Sequence, residues 1–266
     1  MDHSITRRQA LLTAGAAAVL RAAPAPPQVE QALVDRNDDA VRKLLRAQVT
    51  DPQSRWSGSV PDEYLLHSAG AASGLIETLS ASFAHPQSKF HGDKSLIDGI
   101  RLAAGFLERS QTPEGNIDLL STNFNSPPDT GFVVHNVATA AAIGQLYGIE
   151  DLVRLPRPFL VKAGTGLAAG GIHTPNHRWV VCSALAQIHS VFPDPSYIRR
   201  IGQWLAEGID IDDDGQYIER STVTYNTVVD RALCVMAAKL GRPELLDPVR
   251  RNLQAMLTCC IPMAKW

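Results

Sequence analysis

Two adjacent side chains, Asn176 and His177, have the types needed to hold an anion beside a site of proton transfer. They follow Thr174-Pro175, a pair that is typical of a helix start, with threonine at the cap and proline in the first helical position. In such a first turn, an amide and an imidazole lie beside unpaired backbone N–H groups and the positive end of the helix dipole. The sequence therefore predicts a binding place for a carboxylate at this helix start.

A phenol and a second imidazole are predicted near the same ends of the two neighbouring buried helices. Ser221 is the predicted cap of the following helix, which puts Tyr225 about one turn in. Asp129 is the predicted cap of the preceding helix, with His135 and Asn136 two turns deep. We expect these side chains and the Asn-His pair to share one rim.

An amide, an imidazole and a phenol at one rim suit the removal of a proton next to a carboxylate. The C5–H of a uronic acid is weakly acidic, and it becomes removable when hydrogen bonds neutralise the neighbouring carboxylate. Asn176 and the helix N-terminus are expected to supply that neutralisation, and Tyr225 to take the proton and return it to the leaving oxygen. His177 or the adjacent Arg178 is expected to supply the positive charge that activates the phenol.

The elements that position these residues are helices of two kinds. Residues 96–107 and 197–205 carry apolar side chains on one face and charged ones on the other, which is typical of helices with one wet side. Residues 179–191 and 228–240 are apolar on nearly every side, as a helix enclosed by others is. No strand pattern of any length appears. The pattern predicts an all-α fold.

Glycine loops separate the two kinds of helix and repeat along the chain. Gly58, Gly115, Gly171 and Gly215 are 57, 56 and 44 residues apart, so the repeating unit is a helical hairpin. We expect the hairpins to form an α/α toroid, not an open solenoid, because inner helices this apolar need cover on all sides. Residues 244–257 begin another outer helix without an inner partner, so we expect an incomplete ring that is cut short at the C-terminus.

The first residues predict export. Arg7-Arg8 precedes an apolar run and then small residues and prolines, an order typical of a twin-arginine signal over residues 1–27. Residues 28–266 are then one toroid domain of catalytic type in the periplasm or outside the cell, with no membrane span. The net charge of −2 at pH 7 argues against nucleic acid as the partner. Cys182 and Cys234 are predicted to be buried thiols.

Residues 214–226, DGQYIERSTVTYN, resemble the D-G-x-x-x-E-R-S-x-x-x-Y segment of the heparinase II/III and alginate lyase group. Asn176-His177, some fifty residues upstream, is similar to the Asn-His pair of that group. The resemblance implies an α/α toroid followed by a β-sheet domain, and β-elimination on uronic-acid polysaccharides. It also implies that Asn176 neutralises the carboxylate, that Tyr225 is the catalytic acid and base, and that His177 is a neighbouring site residue.

The chain departs from that group in two places. Asn226 follows the tyrosine where members commonly have histidine. Members also have a further histidine in the β-sheet domain, which this chain lacks. If that histidine is essential, we expect this chain to bind sugar but to turn it over poorly or not at all. An inactive fragment that only binds polysaccharide is therefore one alternative.

The main enzymatic alternative is a toroid glycoside hydrolase acting on uronides, with Asp129 and Glu219 as its two carboxylates about 6.5–9.5 Å apart. No cofactor and no metal are expected. The acidic segment at residues 210–215 opens like a calcium loop, but Ser221 stands where the bidentate glutamate belongs.

Trp56 is the best candidate for sugar stacking, Trp204 is assigned to the core, and Trp179 is left between core and cleft wall. The predicted substrate-binding residues are Arg178, Trp56, His135, Asn136, Glu219 and Arg220.

Overall fold

The computed structural model describes residues 27–172 and 174–260, and their backbone is mostly helical. The predicted all-α class is therefore confirmed. A short 3₁₀ turn, Pro243–Leu245, precedes the last helix. In chain order the helices are α1 (Pro27–Ala47), α2 (Ala69–Ala84), α3 (Lys94–Ser110), α4 (Pro127–Tyr147), α5 (Glu150–Arg154), α6 (Arg157–Ala169), α7 (Pro175–Val191), α8 (Pro195–Ala206), α9 (Tyr225–Leu240) and α10 (Leu246–Cys260).

The helices form an inner and an outer layer. Helices α2, α4, α7 and α9 pack against one another in that order, and α1, α3, α6, α8 and α10 cover them. On α8 the buried side chains lie on one side and include Tyr197, Ile201 and Trp204. On α7 every residue from 178 to 188 is buried. A helix that is covered all round must be apolar all round, and this is the distinction that the hydrophobic pattern predicted.

Three of the four glycine loops have the same construction. Gly58, Gly115 and Gly215 adopt φ values of +93°, +101° and +84°, a region in which a side chain is strained. Each glycine also lies directly against the backbone of the next outer helix. A Cβ atom at these positions would lie 1.9, 2.2 and 2.6 Å from the carbonyl oxygens of Leu102, Lys162 and Arg251, respectively.

Amide side chains hold these loops in place. Gln48, Gln111 and Asn252 donate to the carbonyl oxygens of the three glycines at 3.0, 2.9 and 2.8 Å. Gln48 and Gln111 each donate a second bond to a backbone oxygen of the next outer helix, on Gly99 at 2.9 Å and on Phe159 at 3.1 Å. Buried carbonyl groups that lack helical partners are satisfied in this way. The same device therefore joins successive hairpins.

The loop at Gly171 differs from the other three, contrary to the predicted equivalence. Gly171 does not adopt a positive φ, and Gly170 has a φ of −72°. The carbonyl oxygen of Gly170 accepts a bond from Arg200 Nη2 at 3.0 Å, so an arginine of α8 takes the place of the amide. The glycine spacing predicted where the four loops lie, but it did not predict the backbone conformation of each glycine.

A two-stranded sheet was not predicted. Strands β1 (Ile117–Leu119) and β2 (Asn123–Ser126) pair in antiparallel fashion, with an irregular register between Ile117 and Leu119. Segments of three and four residues are too short to show an alternating pattern, which explains why the sequence did not reveal them.

Of the two cysteines assigned to the core, one is buried and one is not. Both Cys182 and Cys234 are free thiols, but Cys234 is exposed. Its exposure shows that an apolar sequence around a residue does not guarantee burial.

Both predicted chain ends lie largely outside the described residues. This holds for the export signal over residues 1–27, apart from its last residue, and for residues 261–266. Within the described ranges, no helix combines the length and the apolar character that crossing a bilayer requires. Closure of the hairpin array into a toroid stays a prediction.

The left-handed loop glycines give a direct test of the stacking. We expect G115A to lower the free energy of unfolding by about 2–4 kcal/mol, because its Cβ would collide with the Lys162 carbonyl at a strained φ. G202A is the matched control. That glycine lies in α8 with nothing within 4 Å of its Cβ position, so alanine should stabilise by about 0.5–1 kcal/mol. Urea denaturation measures both, and equal stabilities of the two variants would contradict the stacking.

Candidate functional site

A cavity of about 470 Å³ opens between the inner helices α4, α7 and α9. The first two turns of these helices supply most of its wall, and the segment before α9 closes one side. A concave, largely apolar cavity with a few polar groups is the usual form of a small-molecule site. The lining residues include Phe132, His135, Asn136, Val180, Val228 and Arg231.

His177 and Tyr225 lie close along the chain to residues that line this cavity. Each precedes a lining residue by one helical turn, His177 before Val180 on α7 and Tyr225 before Val228 on α9. The His177 ring meets the edge of the Phe132 ring, which also lines the cavity, at a centroid distance of 6.3 Å. Tyr225 is 42% exposed. The predicted imidazole and phenol therefore lie on adjacent inner helices and the phenol is partly open to solvent, whereas their meeting at one rim stays a prediction.

Tyr225 is the first residue of α9, not a residue one turn in. The predicted cap, Ser221, does not cap the helix, because residues 222–224 form a turn first. The Ser221 carbonyl oxygen instead accepts a bond from Asn226 N at 2.9 Å. Thr224 precedes the helix without a side-chain capping bond. On α4 the cap is Ser126, and the predicted cap Asp129 lies in the first turn.

Asn176 has a different partner from the one predicted. It is 2% exposed, and its backbone N and its Nδ2 donate to the two carboxylate oxygens of Glu219 at 2.8 and 2.7 Å. The protein's own carboxylate thus occupies the start of α7, where the substrate's carboxylate was expected. Direct neutralisation of a substrate by Asn176 is not supported by this geometry, because unpaired N–H groups at a helix start take the nearest anion.

Arg178 does not face the cavity mouth as a substrate-binding cation. It is buried, and its guanidinium pairs with Glu207 at 2.9 Å and with Asp210. A buried guanidinium requires carboxylate partners of this kind. The predicted role of Arg178 in binding substrate or in activating Tyr225 is therefore corrected to a structural ion pair between α7 and the segment after α8.

His135 lies in the cavity wall and is 7% exposed. Its Nε2 lies 2.9 Å from Ser183 Oγ, and Ser183 donates its own proton to the Val180 carbonyl at 2.9 Å. This arrangement makes Nε2 the donor and leaves Nδ1 as an acceptor, and Nδ1 has no hydrogen-bond partner within the described part of the chain. Burial, and then the charge of Arg231, lower the pKa of His135 to about 4, so the ring is neutral at pH 7.

Two charged residues of the inner face were missed by the sequence analysis. Arg231 lines the cavity, and its charge acts on both His135 and Glu77. Burial raises the pKa of Glu77 on α2, and Arg231 opposes that shift. Nearby, Asn136 Nδ2 donates to Ser73 Oγ at 3.0 Å. A single charge in a helix that is otherwise mostly apolar was the signal that could have revealed Glu77, whereas Arg231 is one of three charged residues of α9.

The segment between α8 and α9 is fixed by its own side chains. Arg220, predicted to bind substrate, is exposed and pairs with Asp212 at 2.9 Å. Its φ of +45° is strained for a residue with a side chain. Tyr217 donates to Asp230 on α9 at 2.7 Å. These two contacts hold the segment in place, and Glu219 in the same segment contacts α7.

Trp56 lies away from this cavity, in the loop before α2. The His67 ring stacks on its indole at a centroid distance of 5.1 Å, and Arg55 lies over the indole at 4.1 Å. Two side chains of the protein thus already use the ring on which a sugar was expected to stack. Trp179 is fully buried, which assigns it to the core, and Trp204 is buried as predicted.

The two carboxylates of the hydrolase alternative are both engaged. Asp129 accepts from Ser126 Oγ and from Asn123 Nδ2, the latter at 3.3 Å. Glu219 accepts both bonds from Asn176. An inverting hydrolase needs one carboxylic acid and one carboxylate directed at substrate, so this arrangement does not favour that alternative.

No protein-family model matches the chain, and no curated protein matches it in sequence. In three dimensions the chain is similar to the crystal structure of a sugar epimerase from a ruminal bacterium. The TM-score is 0.50 at 11% sequence identity, covering 85% of this chain and 70% of that one. At this identity the likeness shows the fold alone. The resemblance to the heparinase II/III and alginate lyase group stays a prediction from the motif residues.

The contact between Glu219 and α7 gives one prediction. We expect E219Q to lower the free energy of unfolding by about 1–3 kcal/mol, because an amide cannot accept from both Asn176 donors and loses the favourable charge at the helix start. Hydrogen exchange in the first turn of α7 should accelerate. E114Q, at an exposed position of an equivalent loop, is the matched control. A loss no larger than that of E114Q would show that the contact carries no stability.

The neutral His135 predicts a dependence of stability on pH. Folding lowers its pKa from 6.5 to about 4, so the unfolded chain binds more protons between these values. The stabilisation is complete above pH 6.5 and is lost as the pH falls toward 4. We expect H135Q to flatten the stability profile in this window by up to about 1.4 kcal/mol per pH unit. Denaturation midpoints between pH 4 and 7 test this, with H91Q at an exposed position as the control. Parallel profiles for H135Q and the wild type would refute it.

Proposed function

We propose that this chain is a carbohydrate-active enzyme that cleaves a uronic-acid polysaccharide by β-elimination in the cavity between α4, α7 and α9. One observation carries the proposal. Tyr225 is exposed and begins α9, and residues in the next two turns of α9, Arg231 among them, line the cavity. Proton removal next to a carboxylate requires a general base and a cation at one place, and Tyr225 and Arg231 are the proposed pair.

The proposed reaction begins with an acidic sugar whose carboxylate is held by Arg231. This cation replaces Asn176, which the sequence pattern assigned to that task. Tyr225, as the phenolate, removes the C5 proton while its charge moves toward the carboxylate. The electron pair of the C5–H bond forms the C4–C5 double bond, and the C4–O bond breaks. The leaving oxygen takes the proton from Tyr225, which restores the phenolate. His177, at the same rim, is proposed to orient the sugar.

Asn176 is proposed to act as a positioning residue. With Glu219 it fixes the first turn of α7, and this turn carries His177. The family resemblance of the Asn-His pair and of the segment that contains Glu219 is then explained by one contact between them. Neither side chain needs to touch the sugar.

Sugar epimerisation is the second candidate. The sugar epimerase with a similar fold motivates it. The neutral His135 in the cavity wall is a group that can accept a proton, or a hydrogen bond from a sugar hydroxyl. Both candidates start by removing a proton from a sugar carbon, but only the lyase breaks the chain. A lyase product absorbs near-ultraviolet light. An epimerase product has the mass of its substrate in ordinary water and takes up deuterium in heavy water.

We also propose a larger setting for the domain. The hairpin array is proposed to be part of an α/α toroid, since its inner helices are apolar on all sides. The paired arginines Arg7 and Arg8, with the apolar run after them, support export by the twin-arginine route to the periplasm. Acidic polysaccharides or oligosaccharides are the proposed partners.

Product formation from alginate, a heparin-like polymer and glucuronan tests the function. We expect Y225F to lower the rate of ultraviolet-absorbing product by at least about 100-fold, the usual contribution of a general acid and base, and to remain folded. R231Q should instead raise KM together with a loss in kcat, because it removes the partner of the carboxylate. Y147F is the matched control, an exposed tyrosine at the far end of α4.

Three outcomes decide between the candidates. Undiminished product from Y225F would remove Tyr225 from the mechanism. Deuterium incorporation without chain cleavage would establish the epimerase. Sugar binding by the wild type without either reaction would identify a binding fragment.

A further inference from the structure

We propose that a second cleft, at the start of α2, binds one acidic sugar unit of the polysaccharide at a distance from the reacting centre. The cleft has a volume of about 220 Å³. This is less than the roughly 300 Å³ at which sites for drug-sized ligands begin, so it fits a single ring and not a chain. The residues that define this distal subsite are Arg55, Trp56, His67 and Arg109. The identity of the polymer rests on the proposed function.

Two guanidinium groups give the distal subsite its charge. Arg55 and Arg109 are both exposed. Arg109 Nη2 donates to the Ser57 carbonyl at 2.5 Å, which fixes the side chain and leaves further N–H donors of the guanidinium for a ligand. The acidic side chain in the lining, Asp118, accepts a bond from Asn125 N at 2.7 Å within the small sheet. The cleft therefore presents a net positive charge, and fixed guanidiniums suit a carboxylate.

A hydrogen-bond acceptor lies beside these donors. His67 Nδ1 lies 2.7 Å from Ser59 Oγ, and Ser59 donates its own proton to the Trp56 carbonyl at 2.7 Å. The neutral ring therefore donates through Nδ1 and presents Nε2 as an acceptor. Trp56 holds the ring by stacking at 5.1 Å with an interplanar angle of 14°. Donors for a carboxylate next to an acceptor for a hydroxyl match an acidic sugar better than a simple anion.

The distal subsite and the reacting rim lie at the same end of the hairpin array. The distal subsite is formed by the loop after α1 and the first residues of α2, and the rim by the first turns of α7 and α9. Helix α4 lies between α2 and α7. At 8–10 Å per helix pair, the first turn of α7 is about 16–20 Å from the distal subsite along the layer, and the first turn of α9 is about 24–30 Å from it. A polymer that crosses the rim can reach both, whereas a single sugar cannot.

Affinity for glucuronan of increasing length is the measurement. We expect the wild type to bind the polymer more tightly than the trisaccharide. R55Q and R109Q should each lose roughly five- to tenfold of the polymer affinity at 50 mM salt, with the difference closing near 1 M salt, where charges are screened. R46Q, an exposed arginine at the end of α1, is the matched control for net charge. Heparin tests whether sulfate replaces the carboxylate, and dextran serves as the neutral polymer.

The outcomes separate this proposal from the proposed function. R109Q removes a hydrogen bond to the Ser57 carbonyl and could therefore unfold the loop. If circular dichroism shows that R109Q is unstable, the result for R55Q is the one that tests the proposal. Polymer affinity of R55Q equal to that of R46Q would overturn the distal subsite, whatever the activity. Loss of polymer affinity in R55Q but not in R46Q would support it, even if Y225F showed that no lyase reaction occurs.

Discussion

The carboxylate of Glu219 at the start of α7 is the interaction on which the geometry of the candidate site depends. It accepts from the backbone N and the Nδ2 of Asn176, at the end of the helix where N–H groups lack helical partners. Hydrogen bonds to charged groups contribute roughly 1.5–3 kcal/mol each. Because Glu219 belongs to the segment that leads into α9, this contact sets the first turn of α7 relative to the first turn of α9. His177 and Tyr225 lie on those two turns.

Burial of the inner layer limits which polar groups can remain there. An unpaired polar group in such surroundings costs free energy, so the few that persist need partners or a function. Asn136 has Ser73, and His135 has Ser183. Arg231 instead faces the cavity and acts on its neighbours through its charge. Its position in the cavity wall makes it the cation on which the proposed function depends.

The sequence predicted the helices and the repeat because both follow from local periodicity. The boundaries of α7 and the burial of Trp204 came out as expected. The choice among competing partners could not be predicted. A helix start was expected to attract a carboxylate, but Glu219, 43 residues away in sequence, already supplies one. Arg178 likewise pairs with Glu207 and with Asp210. Such choices depend on tertiary proximity, which periodicity does not encode.

Several residues of the motif that resembles the lyase group have structural roles in this chain. Gly215 packs on the backbone of α10, Tyr217 ties the segment to α9, Glu219 ties it to α7, and Arg220 closes it on Asp212. These four residues position the junction of α7 and α9 and do not line the cavity as catalytic groups. Val223 and Thr224 of the motif line the cavity, and Tyr225, the next residue, is exposed.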